Sequence, residues 1–302
     1  MSGARPDGVF DTRQVRRAFS RAAAGYDAAA QLQHAVEAQL LESLDYLGER
    51  APERVLDLGC GPGRAAAAMQ RRWPKAQVLA LDLALPMLRE GRRRERWHRL
   101  RRGVQRVCAD ARALPLAGDS VDLLFSNLCL QWIEDLPAVF AGFRRVLRPG
   151  GMLLLSTFGP DTLHELRAAF AAADAAPHVS PFPGIAQFGD ALMAAGFRDP
   201  VLDREVTVAR HPDLAALMRE LRTLGATNAL QSRRHTLTGR ARFARAAAAY
   251  AAEWAGADGS LPASWETITA VAWAPAPGAP IRERGMEVAR FPAGAIPVRK
   301  RR

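Results

Sequence analysis

Three glycines and one acidic residue surround the end of a short apolar run near residue 57. Asp57 lies inside the run, and Gly59, Gly61 and Gly63 alternate with other residues directly after it. Glycines at a strand-to-helix turn let the backbone approach a ligand where a Cβ atom would clash. A carboxylate there repels phosphate groups but attracts an ammonium group. The turn therefore predicts a site for S-adenosylmethionine, which has an ammonium group and no phosphate; the alternative is a turn that binds nothing.

Polar residues also occur at the ends of later predicted strands. Asp82 lies where a carboxylate typically accepts hydrogen bonds from both ribose hydroxyls, although a helix cap is the alternative. Asp110 follows the next strand, where its carboxylate could accept a hydrogen bond from an adenine amine; the alternative is an acidic residue in a surface loop. Asn127 ends the fourth strand, where the backbone would contact the methionine part of the ligand. Their order along the chain favours one common site.

The composition is that of a globular chain without covalent or metal cross-links. Its 302 residues include Cys60, Cys108 and Cys129, whose spacing fits neither a disulfide framework nor a zinc ribbon. The histidines show no metal-ligand spacing, so we expect no metal site. The first residues lack an apolar signal core, and no run has the length of a membrane span. We therefore expect a cytoplasmic protein that does not bind membranes.

The chain is strongly basic, with a formal net charge of +11. Nearly all of its basic residues are arginines, which a GC-rich coding sequence would explain, but a basic surface would also steer an acidic protein partner. Arginine clusters lie at residues 92–94, 99–102 and 299–302. Aromatic residues do not interleave with them as they would on a base-stacking surface, so we expect no nucleic acid partner.

Strands and helices alternate through the middle of the chain. Residues 1–11 are predicted to be disordered, and residues 13–46 have a helical pattern that breaks near Gly25. Predicted strands lie at 54–58, 77–81, 105–108, 121–126, 152–158, 200–209 and 265–273. Predicted helices lie at 64–72, 85–94, 136–147, 161–173, 188–195, 213–224 and 240–254. This alternation is typical of a parallel sheet with helices on both faces.

These elements predict an α/β fold with a doubly wound, mostly parallel seven-stranded sheet. We expect an N-terminal helical cap over residues 1–50 and a larger domain over residues 51–302. Helical inserts at about 160–186 and 212–262 follow the fifth strand and precede the seventh. Inserts at those points lie over the carboxyl ends of the strands, where open α/β sheets bind ligands, so we expect them to form a lid.

Four segments resemble the seven-strand, Rossmann-like methyltransferases that use S-adenosylmethionine. They are LDLGCGPG at 56–63, LD at 81–82, ADA at 109–111 and VLRPGG at 146–151. The resemblance implies that the cofactor contacts Asp57, Gly59, Cys60, Gly61, Gly63, Asp82, Leu83, Asp110, Ala111 and Asn127. It does not name a substrate.

Further segments resemble a narrower family, the malonyl-acyl-carrier-protein O-methyltransferases of biotin synthesis. They are FSRAAAGYD at 19–27, SNLCLQW at 126–132, STFGPDTL at 156–163 and LMRELRTLGATN at 217–228. The resemblance implies methyl transfer from S-adenosylmethionine to the free carboxylate of a malonyl thioester. The implied partner is an acidic acyl-carrier protein, which a basic surface would attract.

The chemistry of such a reaction directs attention to two arginines and two aromatic residues. A carboxylate is ionised at neutral pH, so its attack on a methyl group needs no general base. It needs a cation, and Arg219 and Arg222 on the expected lid helix are the candidates, although both could be ordinary solvated arginines. Tyr26 and Trp132 could wall the methyl-transfer pocket or simply belong to the core.

Other functions remain open at this stage. The acceptor could be another small acid or a quinone-like ring, although a ring acceptor would require a general base. A protein that resembles complex I assembly factors would bind S-adenosylmethionine over the same motifs. The Asn-Pro-Pro-aromatic motif common in base methylation is absent, and SNLC occupies residues 126–129 instead.

Overall fold

A seven-stranded sheet forms the centre of the fold. The computed structural model describes residues 8–98, 103–236, 238–276, 281–283 and 286–288. The strands are β1 (Arg54–Leu58), β2 (Gln77–Asp82), β3 (Gln105–Cys108), β4 (Val121–Ser126), β5 (Leu147–Phe158), β6 (Arg198–His211) and β7 (Leu261–Trp273). Their order in the sheet is β3-β2-β1-β4-β5-β7-β6, in which only β7 runs antiparallel to its neighbours. This architecture confirms the predicted fold class.

Helices cover both faces of the sheet and the ends of its strands. They are α1 (Thr12–Ala22), α2 (Tyr26–Ala29), α3 (Gln31–Glu42), α4 (Arg64–Arg72), α5 (Leu85–His98), α6 (Leu136–Val146), α7 (His164–Ala171), α8 (Ile185–Ala194), α9 (Leu214–Thr223) and α10 (Arg240–Trp254). Acidic side chains cap three of them: Asp11, Asp135 and Asp213 each accept a hydrogen bond from a backbone N–H in the first turn. Such caps satisfy amide groups that the helix itself leaves unpaired.

The central strands are buried on both faces, as a doubly wound sheet requires. Leu56 and Leu124 pack under α6 and α8, where Phe140 and Phe188 meet edge to face. Alternate residues of the same strands form a second core against α3 and α4. Because both faces are covered, the strands contain nearly continuous apolar runs.

A third core joins the inserts to the carboxyl ends of the strands. Buried side chains from α7, α9 and α10 pack against the ends of β5 and β7. Tyr250 of α10 is fully buried and donates a hydrogen bond to the carbonyl of Pro262. The inserts are therefore anchored at the edge of the sheet where a ligand is expected.

Several predicted boundaries were wrong. The strand predicted from residue 265 begins at Leu261, and the one predicted from 152 begins at Leu147. Both strands continue to pair with a neighbouring strand outside their most apolar segment. The helix predicted over 161–173 spans only His164–Ala171, since Leu163 has a left-handed conformation.

The two chain ends also differ from expectation. Phe10 lies in the segment predicted to be disordered, yet it forms a β-bridge with Leu230. A hairpin of β8 (Ile281–Glu283) and β9 (Met286–Val288) was not predicted. The arginine clusters at 99–102 and 299–302 lie outside the described residues.

Candidate active site

The glycine turn connects β1 to α4. Gly59, Gly61 and Gly63 all have positive φ angles, of 66°, 52° and 81°. A Cβ atom on Gly59 would lie 2.4 Å from the Sγ atom of Cys129, so this position has no room for a side chain. The sequence prediction of a close backbone approach applies most strictly to Gly59.

Asp57 lies behind this turn. Its carboxylate accepts a hydrogen bond from the backbone N–H of Ala66, at 2.9 Å, in the first turn of α4. Burial, aided by the nearby Glu37, raises the pKa of Asp57 well above its usual value. The side chain does not line a described cavity. Its predicted contact with the ammonium group of a ligand stays a prediction.

Asp82 ends β2 and faces the turn. Its carboxylate accepts from the backbone N–H groups of Gly61, at 2.8 Å, and Ala84, at 2.7 Å. Burial raises the pKa of Asp82 to about 6, although the two hydrogen bonds oppose this shift. The carboxylate lines a small cavity next to the glycine turn.

Asp110 follows β3 and lines the same small cavity. Its two carboxylate oxygens accept from the guanidinium of Arg112 at 3.0 and 2.6 Å. Burial alone would raise its pKa, but the hydrogen bonds and charge of Arg112 outweigh burial and hold the pKa below its usual value. An adenine amine would therefore share this carboxylate with Arg112.

Most of the predicted cofactor residues meet at this small cavity, which has a volume of about 100 Å³. Those that line it are Gly59, Gly61, Asp82, Leu83, Asp110, Ala111 and Asn127. Cys60 and Gly63 belong to the turn but do not line the cavity. Arg64, the first residue of α4, does not line it either, and its Nε donates to Glu37 at 3.0 Å. Ligand pockets typically have about 300–1000 Å³, so a nucleoside could enter only if the walls of this cavity, which include residues of α1, moved outward.

A second, larger cavity of about 510 Å³ adjoins the first. Four residues line both: Phe19, Tyr26, Leu128 and Trp132. The rings of Phe10 and Phe19 pack edge-on against Trp132, with centroids 6.1 and 5.6 Å away. Burial raises the pKa of the Tyr26 phenol, so it stays protonated at neutral pH and can donate a hydrogen bond but not accept a proton. The two predicted aromatic residues therefore lie where the cavities meet.

Arginines line the larger cavity. Both Arg219 and Arg222 of α9 are exposed, but only Arg222 lines the cavity. Sequence reasoning missed Arg233 and Arg234, which lie in the loop before α10. The loop carries no periodicity or motif that would have identified them. The larger cavity thus combines an apolar wall with cations that could hold an anionic substrate.

Metal clusters and membrane-spanning helices are both absent from the residues that the structure describes. Among them, no cluster of three or more His, Cys, Asp or Glu side chains is arranged to hold a metal ion. Within the same residues, no helix is both long and apolar enough to cross a membrane.

Comparison with known proteins places this geometry in a family. Residues 56–155 match the family described as a methyltransferase domain. The chain is 60% identical to the malonyl-[acyl-carrier protein] O-methyltransferase of Xylella fastidiosa over 98% of this chain and 99% of that protein. It is 43% identical to the protein of the same name from Gallionella capsiferriformans, over 89% of this chain and 93% of that protein.

The chain belongs to the malonyl-[acyl-carrier protein] O-methyltransferases. Solved structures agree at the level of the fold. YcgJ from Bacillus subtilis superposes with a TM-score of 0.56 at 15% identity, over 78% of this chain and 97% of that one. Phosphoethanolamine N-methyltransferase 2 of Haemonchus contortus, in complex with S-adenosyl-L-methionine, superposes with a TM-score of 0.54 at 18% identity. The match covers 90% of this chain and 61% of that one. The sequence-based assignment to this family is confirmed.

Proposed function

We propose that this chain transfers a methyl group from S-adenosylmethionine to the free carboxylate of malonyl-acyl-carrier protein. The observation that carries the proposal is the pair of adjoining cavities that share Tyr26 and Trp132. One cavity has the glycine turn and Asp82, and the other has Arg222. A methyl donor in the first and a carboxylate in the second would meet between the two aromatic rings.

The residues of the small cavity suit the proposed cofactor. Asp82 presents a carboxylate for ribose hydroxyls, and the glycine turn leaves its backbone open. When bound, S-adenosylmethionine supplies an electrophilic methyl group. We also propose contacts from Leu83, Ala111 and Asn127, which line the cavity beside these groups.

The larger cavity would orient the acceptor rather than activate it. A carboxylate is already ionised at neutral pH, so no residue has to remove a proton. Tyr26 and the indole of Trp132 would donate hydrogen bonds near the reacting oxygen and exclude water. Arg222 would hold the negative charge of the acceptor. Catalysis would then consist mainly of alignment.

The proposed partner is an acidic carrier protein in the cytoplasm. The net charge of +11 supports attraction to such a carrier by long-range electrostatics. The three cysteines are all free, which suits a reducing compartment.

The experiment is methyl transfer from radiolabelled S-adenosylmethionine to malonyl-acyl-carrier protein. Acetyl-acyl-carrier protein, which lacks the free carboxylate, is the control. Malonyl-coenzyme A shows whether the enzyme requires the carrier protein or accepts another malonyl thioester. We expect base-labile label on the malonyl thioesters only. Label on the acetyl thioester would contradict the proposal. So would the absence of label on both malonyl thioesters when cofactor binding is measurable.

A further inference from the structure

The wall of the larger cavity contains buried polar atoms that lack hydrogen-bond partners among the described residues. The five atoms are Gln33 Oε1, Gln131 Oε1, Trp132 Nε1, Thr227 Oγ1 and Arg234 Nε. Buried polar groups in proteins are almost always paired. Their concentration in one cavity indicates a ligand that carries several polar groups along its length.

Arg234 is the charged member of this set. Its Nη2 donates to Asp174 at 3.2 Å, and that carboxylate, only 7% exposed, also contacts His178 at 3.1 Å and Arg242 at 3.7 Å. One carboxylate therefore faces two guanidinium groups, which leaves a positive charge uncompensated at this position. Arg233 differs, because it pairs with Asp11 at 3.0 Å and donates to the carbonyl of Leu230.

Arg234 lines the larger cavity but is not among the four residues that line both cavities. Leu128, which lines both cavities, donates its backbone N–H to Ser156 of β5 at 3.1 Å, so the meeting point is at the carboxyl end of the sheet. From there α7 runs along the larger cavity, with Leu166 and Phe170 in its wall, and Asp174 follows the helix. The eight residues of α7 span about 12 Å, at a rise of 1.5 Å per residue.

The part of the cavity beside Arg234 is accessible to solvent. His235 and Thr236 follow directly in the chain and are exposed, and Thr236 lines the cavity. The proposed function places the malonyl carboxylate beside Tyr26, which lines both cavities, whereas Arg234 lines the larger one alone. The part of the substrate that remains to contact Arg234 is then the thioester arm.

We propose that Arg234 binds the phosphate group that ends the prosthetic arm of the acyl-carrier protein. This inference rests on the proposed function. The arm of a carrier protein is an extended chain with two amides that ends in a phosphodiester. A guanidinium group held in place by Asp174 binds such an anion well, because its planar donors match phosphate oxygens. Thr227, with its unpaired hydroxyl, is the partner for an amide of the arm.

The test compares two small substrates that differ only in the phosphate, malonyl-pantetheine and malonyl-4′-phosphopantetheine. We expect the native protein to have a KM about tenfold lower for the phosphorylated substrate, the size of one charge-assisted hydrogen bond. Arg234→Gln should remove this preference, with the KM for malonyl-pantetheine and kcat unchanged. Arg242→Gln is the matched control, since it removes an arginine from Asp174 without touching the cavity lining, and it should keep the preference.

Two outcomes would overturn the assignment. One is a native protein that does not distinguish the two substrates. The other is an Arg234→Gln variant whose KM rises equally for both, as it would if the residue only supported the fold or bound the malonyl end. Calorimetric binding of 4′-phosphopantetheine and pantetheine, without the malonyl group, decides the role of Arg234 independently. A protein that shows the phosphate preference in binding but methylates no malonyl thioester would contradict the proposed function alone.

Discussion

The carboxylate of Asp82 accepts a hydrogen bond from the backbone N–H of Gly61 at a distance of 2.8 Å. This bond joins the end of β2 to the glycine turn after β1, across the helix α4 that separates them in the sequence. The residue proposed to bind ribose therefore also fixes the turn beside which the cofactor would lie. Replacing it should affect both the contact and the shape of the site.

Asp82→Asn should weaken S-adenosylmethionine binding by about 10- to 100-fold. The reason is that hydrogen bonds to a charged group contribute about 1.5–3 kcal/mol. Isothermal titration calorimetry measures the change, with Asp203→Asn on the exposed face of β6 as the control. Unchanged affinity in the Asp82 variant would remove this residue from the ribose site.

Cofactor affinity should depend on pH because the pKa of Asp82 is raised to about 6. Binding to ribose hydroxyls favours the ionised carboxylate, so affinity should be full above pH 7. It should fall by up to about tenfold per unit as the pH drops below 6. In Asp82→Asn this slope should vanish. Any dependence that remains near pH 7 belongs to Glu37, whose pKa burial raises to about 7, or to Asp57, whose pKa burial also raises.

Gly59→Ala should destabilise the protein more than Gly63→Ala. Both glycines have positive φ angles, and a left-handed residue other than glycine costs about 1–2 kcal/mol. At Gly63 nothing lies within 4 Å of an added Cβ atom, whereas at Gly59 that atom would meet Cys129. Chemical denaturation of the two variants isolates the cost of the clash. Equal losses would show that Cys129 moves aside freely.

Arg222→Gln should raise the KM for malonyl-acyl-carrier protein by about tenfold or more, since a charge-assisted hydrogen bond is lost. Its cofactor affinity should not change. Arg219→Gln provides the matched control, because that residue is on the same helix and is exposed like Arg222 but does not line the cavity. The sequence alone favoured neither arginine. Equal effects of the two substitutions would mean that α9 acts through its overall charge.

Trp132→Phe should lower kcat with little change in stability. Phenylalanine retains an aromatic ring between Phe10 and Phe19 but removes the indole N–H, which is buried and lacks a partner in the described part of the chain. Steady-state kinetics and thermal denaturation separate the two effects. A variant with native kcat would show that the indole N–H does not contact the reacting carboxylate.

The convergence of the proposed cofactor residues could be predicted because these residues follow strand ends. Parallel strands bring their carboxyl ends to one edge, so Asp82, Asp110 and Asn127 converge whatever the lengths of the helices between them. The direction in which a single side chain points cannot be predicted in this way. The motif identifies Asp57 by type, but only the structure reveals that its carboxylate is hydrogen-bonded to Ala66.

The substrate side depended on contacts between distant segments and was harder to predict. Arg233 and Arg234 occupy a loop whose position is set by pairing with the N-terminal segment, where Asp11 donates its N–H to the carbonyl of Ala229 at 2.8 Å. Neither segment has a helix or strand period of its own. For this reason the sequence predicts disorder over residues 8–11, although Phe10 is buried in the structure.

The position of β7 has a consequence for synthesis of the chain. It is the last of the seven strands in sequence, yet it lies between β5 and β6 and is their shared partner. Until residues 261–273 have left the ribosome, β5 has an open edge and β6 has no strand to pair with. The five parallel strands can assemble first. A nascent chain that stalls before residue 261 would expose an aggregation-prone edge to chaperones and proteases.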